Sequence, residues 1–310
     1  MQQLDSRIIE PSPAHASATA ELNETAAADR LKIDTILQEL DELVGLVDVK
    51  RMVRELRAFV EVQKARKTFQ LPADVQSLHM LFSGAPGTGK TTIARLLGRL
   101  FLAMQVLPKG HLIEAERADL VGEYIGHTAQ KTRELLKKAQ GGILFVDEAY
   151  SLARGGEKDF GKEAIDTLVK AMEDRRGEFI LILAGYSEEM EWFLQTNPGL
   201  ISRFPIHMHF PDYTPKELLH IAQMMLNQRQ YHLAPEAVHM LEEYLTQKMH
   251  SVSEHTGNAR MVRNLIERAI RQQAVRLMAQ YHGVFCREAL MRLIWADFEG
   301  GISAGRIGDW

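Results

Sequence analysis

The segment Gly84-Ala85-Pro86-Gly87-Thr88-Gly89-Lys90-Thr91 constrains this chain more than any other. It follows a short apolar run, Leu78 to Phe82, and opens a helical pattern from Ile93 to Met104, so it sits at a strand-to-helix turn. Glycines at this spacing let successive backbone N–H groups turn inward as an anion nest, and the start of the helix adds the positive end of its dipole. The segment fits GxxxxGK[ST], with a strand before it and a helix after it, the context that gives such a match meaning. Gly84, Ala85, Pro86, Gly87, Thr88, Gly89, Lys90, Thr91 and Thr92 are therefore the expected phosphate-binding residues. Lys90 is expected to reach the β- and γ-phosphates, and the Thr91 hydroxyl to bind Mg²⁺.

A second constellation complements the first. Ile143-Leu144-Phe145-Val146 is a buried-strand run that ends in Asp147-Glu148. Ligands of open α/β sheets bind at the C-terminal ends of strands, where these carboxylates stand. Adjacent buried carboxylates are costly unless a cation or polarised water compensates them. Asp147 is expected to hold the Mg²⁺ shell and Glu148 to orient or deprotonate the attacking water. The second carboxylate points to hydrolysis rather than to binding alone.

The remaining pattern sets the architecture. Leu112 to Ala115 and Phe179 to Ala184 are further strands, and Ile206, Met208 and Phe210 alternate with His207 and His209 as a half-exposed last one. Helical spacing at 129–139 and 164–172 falls between them, which predicts a parallel sheet between helices. After Pro211 the pattern is helical only. Thr214-Pro215-Lys216-Glu217 is a capping box, Pro235 opens a second helix, and a third begins near Asn258 with an apolar stripe through Met261, Val262, Leu265, Ile266, Ala269, Ile270 and Leu277. Residues 1–30, poor in large apolar side chains, are expected to be a mobile tail, 31–211 the α/β domain, 212–298 a small all-α domain and 299–310 a flexible glycine-rich end. The chain has 310 residues and a net charge of −4, and no apolar stretch approaches the ~18 residues of a membrane span. Neither a membrane nor a nucleic acid is expected as partner, and with no secretory signal evident a cytoplasmic location is expected. The single cysteine, Cys286, excludes an intrachain disulfide and a cysteine zinc cage.

The two nucleotide motifs, the trailing helical domain and Asn197-Pro198-Gly199-Leu200-Ile201-Ser202-Arg203-Phe204 resemble an AAA+ ATPase of the CbxX/CfqX type, a group that includes the red-type Rubisco activases. The likeness runs from about Leu43 to Met278, and the stretch Lys109 to Asp174 is most like members from endospore-forming bacteria. The resemblance implies a P-loop AAA+ module with a parallel five-stranded sheet and a helical lid. It implies ATP and Mg²⁺ as cofactors, hydrolysis in a ring-shaped homo-oligomer (a hexamer), and remodelling of an unidentified protein substrate, with endospore formation as the setting. Arg203 falls where such proteins carry an arginine finger that reaches the neighbouring subunit's nucleotide, and Arg260 in Gly257-Asn258-Ala259-Arg260 where they carry sensor 2. Tyr124, Ile125 and Gly126 match a substrate-gripping pore loop, 154–161 a second one, and Val44-Gly45-Leu46 the linker bordering adenine. One departure stands out: Ala184-Gly185-Tyr186 occupies the sensor-1 strand end, which leaves that role open between Tyr186 and Ser187.

Other functions remain in view. A nucleotide-gated scaffold with slow hydrolysis is the main rival to a remodelling machine, and a DNA-remodelling relative is disfavoured by the acidic balance. His207 and His209 share one strand face, which suits an exposed edge better than a metal site. Arg263, Arg268, Arg271 and Arg276 are expected to form a solvated helix face.

Overall fold

In the computed structural model, which describes residues 13–72, 77–124, 126–155, 159–250, 257–280 and 284–304, strands and helices alternate through the first two thirds of the chain. Two helices lead in, α1 (Pro13–Glu42) and α2 (Val47–Thr68). The α/β domain follows as β1 (Met80–Gly84), α3 (Lys90–Ala103), β2 (Leu112–Ala115), α4 (Arg117–Leu120), α5 (His127–Lys138), β3 (Ile143–Val146), a 3₁₀ turn (Ala149–Ala153), α6 (Gly161–Asp174), β4 (Ile180–Gly185), α7 (Ser187–Thr196), α8 (Pro198–Ile201) and β5 (Ile206–Phe210). The lid consists of α9 (Pro215–Gln228), β6 (His232–Leu233), α10 (Pro235–His250), α11 (Asn258–Ala279), α12 (Arg287–Met291), β7 (Arg292–Leu293) and α13 (Trp295–Ala304).

The five long strands form one parallel sheet in the order β2-β3-β4-β1-β5. Side chains alternate between its faces, and the two faces are both buried, which is why the central strands read as unbroken apolar runs. Met80, Phe82, Ile143, Phe145, Ile180 and Ile182 join the core shared with α1, α2 and α3. Leu81, Leu144, Val146, Leu181 and Leu183 join the opposite core, under α5, α6 and α7. Each such fully buried side chain contributes roughly 1.5–3 kcal/mol. The edge strand β5 is covered on one side only: Ile206, Met208 and Phe210 are buried, while His207 and His209 face outward.

Two expectations need correcting at the margins. Helix α1 begins at Pro13, not near residue 30, because burial is not the only source of helicity. The stretch is rich in alanine, the strongest helix former, and continues into a turn anchored by buried Ile33, Ile36 and Leu40. The Glu39–Arg99 and Asp41–Arg54 ion pairs on that helix are exposed and add little. At the other end, α13 runs through residue 299 to Ala304, held by buried Asp297 and Phe298, so the lid extends past the expected boundary. The lid also contains a two-residue parallel ladder, His232–Leu233 against Arg292–Leu293, whose halves lie too far apart in sequence to be paired by pattern. Residues 1–12 and 305–310, including the Trp310 terminus, lie outside the described residues.

Candidate functional site

The phosphate loop is built by close approach. At Gly84, which ends β1, a Cβ would stand 2.2 Å from the Phe210 carbonyl oxygen of β5. At Gly87, with φ +76°, it would stand 2.4 Å from the Gly257 carbonyl oxygen of the lid. Glycine is thus required both to let the loop leave the sheet and to let the lid reach it. Thr88 is buried and its hydroxyl donates to the Ala85 carbonyl at 2.8 Å. The Lys90 ammonium curls into the loop and donates to the Gly84 and Ala85 carbonyls at 2.7 and 2.8 Å. Burial lowers its pKa, nearby Arg260 lowers it further, and Asp147 partly offsets both. A desolvated cation held by carbonyl oxygens, at the head of a helix and within a turn of backbone N–H groups, suits a polyanion.

The carboxylates stand at the end of β3. The Asp147 N–H donates to Ala115 of β2 at 2.9 Å, and the Glu148 N–H donates to Asp147 Oδ1 at 3.0 Å. Glu148 adopts a left-handed backbone, φ 47° and ψ 43°, which a non-glycine residue holds at a cost and which is concentrated at functional sites. Asp147, Glu148, Lys90 and Thr91 all line one cleft of about 830 Å³. Thr91 and Asp147 therefore face a common space, as a shared divalent cation requires.

Of the other expected nucleotide contacts, Pro86, Gly87, Gly89 and Thr92 line the cleft. Gly84, Ala85 and Thr88 shape the loop behind it. Val44 and Leu46 line the cleft with Leu43, while Gly45 turns the chain against Glu217 at the start of α9. The opposite wall comes from the lid, through Met224, Arg260 and Arg263. The Tyr186–Ser187 choice is narrowed by geometry: Tyr186, directly after β4, lines the cleft, whereas Ser187 already belongs to α7 and does not. Burial and the neighbouring Glu148 raise the Tyr186 pKa, keeping its hydroxyl a proton donor.

Asp212 and Tyr213, which no motif singled out, join Asn258 and Ala259 in fastening the lid to the loop. The Asn258 side chain accepts from the Tyr213 N–H at 3.1 Å and donates to Asp212 Oδ1 at 2.8 Å. Tyr213 donates its hydroxyl to the Thr88 carbonyl at 3.0 Å. The Ala259 N–H donates to the Gly87 carbonyl at 3.2 Å. Arg260 follows these contacts directly, which delivers it to the cleft. The sequence signal was slight: Asp212-Tyr213 only precede a capping box, whose helix start explains them without a site.

Arg203 does not line the cleft. It stands in the turn between α8 and β5, where its Nε and Nη2 donate to Glu173 of α6 and its Nη1 to the Gly199 carbonyl at 2.6 Å. Tyr124 is 65% exposed, with its ring edge-on to His127 at 5.4 Å, so it is not tucked into the core. Gly126 caps α5 with φ +82°, and Ile125 lies outside the described residues. Within 154–161, residues 156–158 lie outside them too. Arg154 at the base of that loop covers the Tyr150 ring at 4.5 Å, and Tyr150 in turn lies 5.9 Å from Tyr186.

The remaining candidates are structural. His207 Nε2 pairs with the Phe204 carbonyl and His209 Nδ1 with the Ser83 hydroxyl, and no cluster of three or more histidine, cysteine, aspartate or glutamate side chains placed to hold a metal occurs among the described residues. No helix among them is long and apolar enough to cross a membrane. The arginines of α11 are not one solvated face: Arg263 lines the cleft, and Arg276 forms a two-bond pair with buried Asp297 at 2.8 and 2.9 Å.

Comparison with known proteins identifies both domains. The ATPase family associated with various cellular activities (AAA) matches residues 80–212, and the AAA lid domain matches 214–305. Stage V sporulation protein K of Bacillus subtilis is 57% identical over 268 residues, which span 85% of this chain and 83% of that protein. The chloroplastic ribulose bisphosphate carboxylase/oxygenase activase of Cyanidioschyzon merolae is 46% identical over 250 residues, 80% of this chain and 85% of that one. Protein CbbX of Cereibacter sphaeroides is 44% identical over 279 residues, 87% and 90% of the two chains. Among solved structures, the Thermotoga maritima RuvB Holliday junction branch migration motor superposes with a TM-score of 0.54 at 20% identity, covering 87% of this chain and 72% of that one, a likeness of fold alone. The chain belongs to the AAA ATPase family, as an ATP-hydrolysing enzyme with an α/β nucleotide-binding domain and a helical lid, related to stage V sporulation protein K and to the CbbX-type Rubisco activases.

Proposed function

We propose that the chain acts as a ring-shaped homo-oligomer, a hexamer, that couples ATP hydrolysis to remodelling of a protein substrate in the cytoplasm. The loop from Gly84 to Thr92 holds the phosphates, with Lys90 on the β- and γ-phosphates and Val44-Gly45 beside the base. Thr91 and Asp147 hold Mg²⁺, which neutralises phosphate charge when bound. Glu148 orients and deprotonates the attacking water, Tyr186 donates to it or to the phosphate, and Arg260 carries the state of the phosphates to the lid. Tyr124 with Ile125 and Gly126 grips the polypeptide. The name of the Bacillus subtilis relative supports endospore formation as the setting.

One observation carries the ring: Arg203 stands outside its own cleft, so as a finger it can act only on a neighbour's phosphate. Such a guanidinium contributes about 10³–10⁵ in turnover in comparable enzymes. The test is complementation between two inactive chains. Arg203→Ala and Lys90→Ala should each hydrolyse ATP poorly, and mixing them should restore turnover, because an intact Lys90 site then meets an intact Arg203. A mixture no faster than the sum of its parts, from chains that still co-assemble, would exclude a finger acting between subunits.

A further inference from the structure

Arg203 is held before any neighbour arrives. Its guanidinium has five N–H groups. The Nε donor, at 3.1 Å, and an Nη2 donor go to one oxygen of Glu173, Oε1, and an Nη1 donor goes to the Gly199 carbonyl at 2.6 Å. Two N–H groups are left, one on each terminal nitrogen. Glu173 comes from the last turn of α6 and Gly199 from α8, so two elements grip the group from different sides. The Arg203 side chain is 31% exposed and that of Glu173 57%, which places the pair at the surface, where it can face another copy.

An arginine swings about several bonds, and a finger that is ordered only on reaching the phosphate spends part of its interaction on that ordering. Fixing it beforehand removes that loss from the reaction step. A surface ion pair contributes little to folding. The distinctive consequence of the Glu173 contact is the direction in which the two remaining donors point.

We propose that Glu173 is a positioning residue for hydrolysis in the neighbouring subunit, acting through Arg203: it fixes the guanidinium so that its two unengaged N–H groups are presented together to the γ-phosphate next door. This rests on the finger role given to Arg203 above. Because both bonds fall on a single oxygen, the uncharged amide of glutamine can accept them, which separates geometry from charge.

The full-length chain is assayed for ATP turnover at concentrations where it is assembled, as Glu173→Ala, Glu173→Gln, Arg203→Ala and the double alanine variant. Glu173→Ala should lower kcat about tenfold with KM for ATP unchanged, since one poorly placed group slows the reaction step without touching its own subunit's cleft. Glu173→Gln should stay within about twofold of the unaltered chain, and the double variant should be no slower than Arg203→Ala alone. Normal kcat in Glu173→Ala would overturn the proposal while leaving the finger intact, provided Arg203→Ala is slow. A glutamine variant as slow as the alanine one, or losses that multiply in the double variant, would also overturn it. If Arg203→Ala itself turns over normally, the finger role fails, and the role of Glu173 fails with it. Sedimentation of each variant checks that the effect is not lost assembly.

Discussion

The Tyr213 hydroxyl donates a 3.0 Å hydrogen bond to the Thr88 carbonyl, tying the residue that leads into the lid to the loop expected to hold phosphate. Both groups are buried, and burial, reinforced by Glu217, pushes the Tyr213 pKa up to about 12, so the phenol remains a donor at every physiological pH. Replacing Tyr213 with phenylalanine keeps the ring and leaves the Thr88 carbonyl unpaired, a loss of about 1–3 kcal/mol. Part of that loss should fall on the closed lid. Tyr213→Phe should therefore melt a few degrees lower and bind ATP several-fold more weakly, as scanning calorimetry and a nucleotide titration can read. Unchanged melting and unchanged affinity together would mean that the bond does not join lid to loop.

Glu148 is placed differently from the residues that bind. It faces the cleft from a left-handed backbone held by its own N–H bond to Asp147, and it takes no part in the loop around Lys90. Glu148→Gln keeps that shape and removes the base. Turnover should fall about 10²–10⁴-fold while ATP still binds. Phosphate release and equilibrium binding of a fluorescent nucleotide measure the two quantities separately. Parallel loss of both would assign Glu148 to binding, and near-normal turnover would remove it from the reaction.

What could be read from the chain, and what could not, divides by sequence separation. The loop from Gly84 to Thr91 and the run into Asp147-Glu148 are local: each couples a short motif to the periodicity of the strand beside it. The structure brings residues of both to one cleft, and β5 is half-covered as its alternation indicates. Arg203 was visible only through a resemblance, and its carboxylate partner, thirty residues earlier on α6, left no mark. The fastening of the lid was equally silent, because Asn258 meets Asp212 across a gap of 46 residues that only folding closes. Helix α1 departs from its expectation for another reason: its first turns carry few large apolar side chains, yet alanine favours helix intrinsically.

His79 shows how far burial can move a group that has no part in the cleft. It stands just before β1, 6% exposed, between the rings of Phe179 and Phe204 at 5.5 and 6.1 Å, and its Nδ1 accepts the Leu181 N–H at 2.9 Å. Burial, with a smaller contribution from Arg176, lowers its pKa from 6.5 to about 4. The folded chain thus keeps this imidazole neutral where the unfolded chain protonates it. Between pH 6.5 and about 4 the unfolded state binds the extra proton, so stability falls as pH falls through that window, by about 3 kcal/mol in all, and the His79 contribution is constant above it. Carboxylates titrate in the same range, so the contribution must be read as a difference. His79→Leu should be less stable than the unaltered chain at pH 7.5, because the Leu181 N–H loses its acceptor. At pH 4.5 that deficit should shrink or reverse, since the variant has no imidazole to protonate on unfolding. Urea denaturation of both chains at the two pH values gives the comparison. A deficit of equal size at both would show that His79 carries no proton-linked stability.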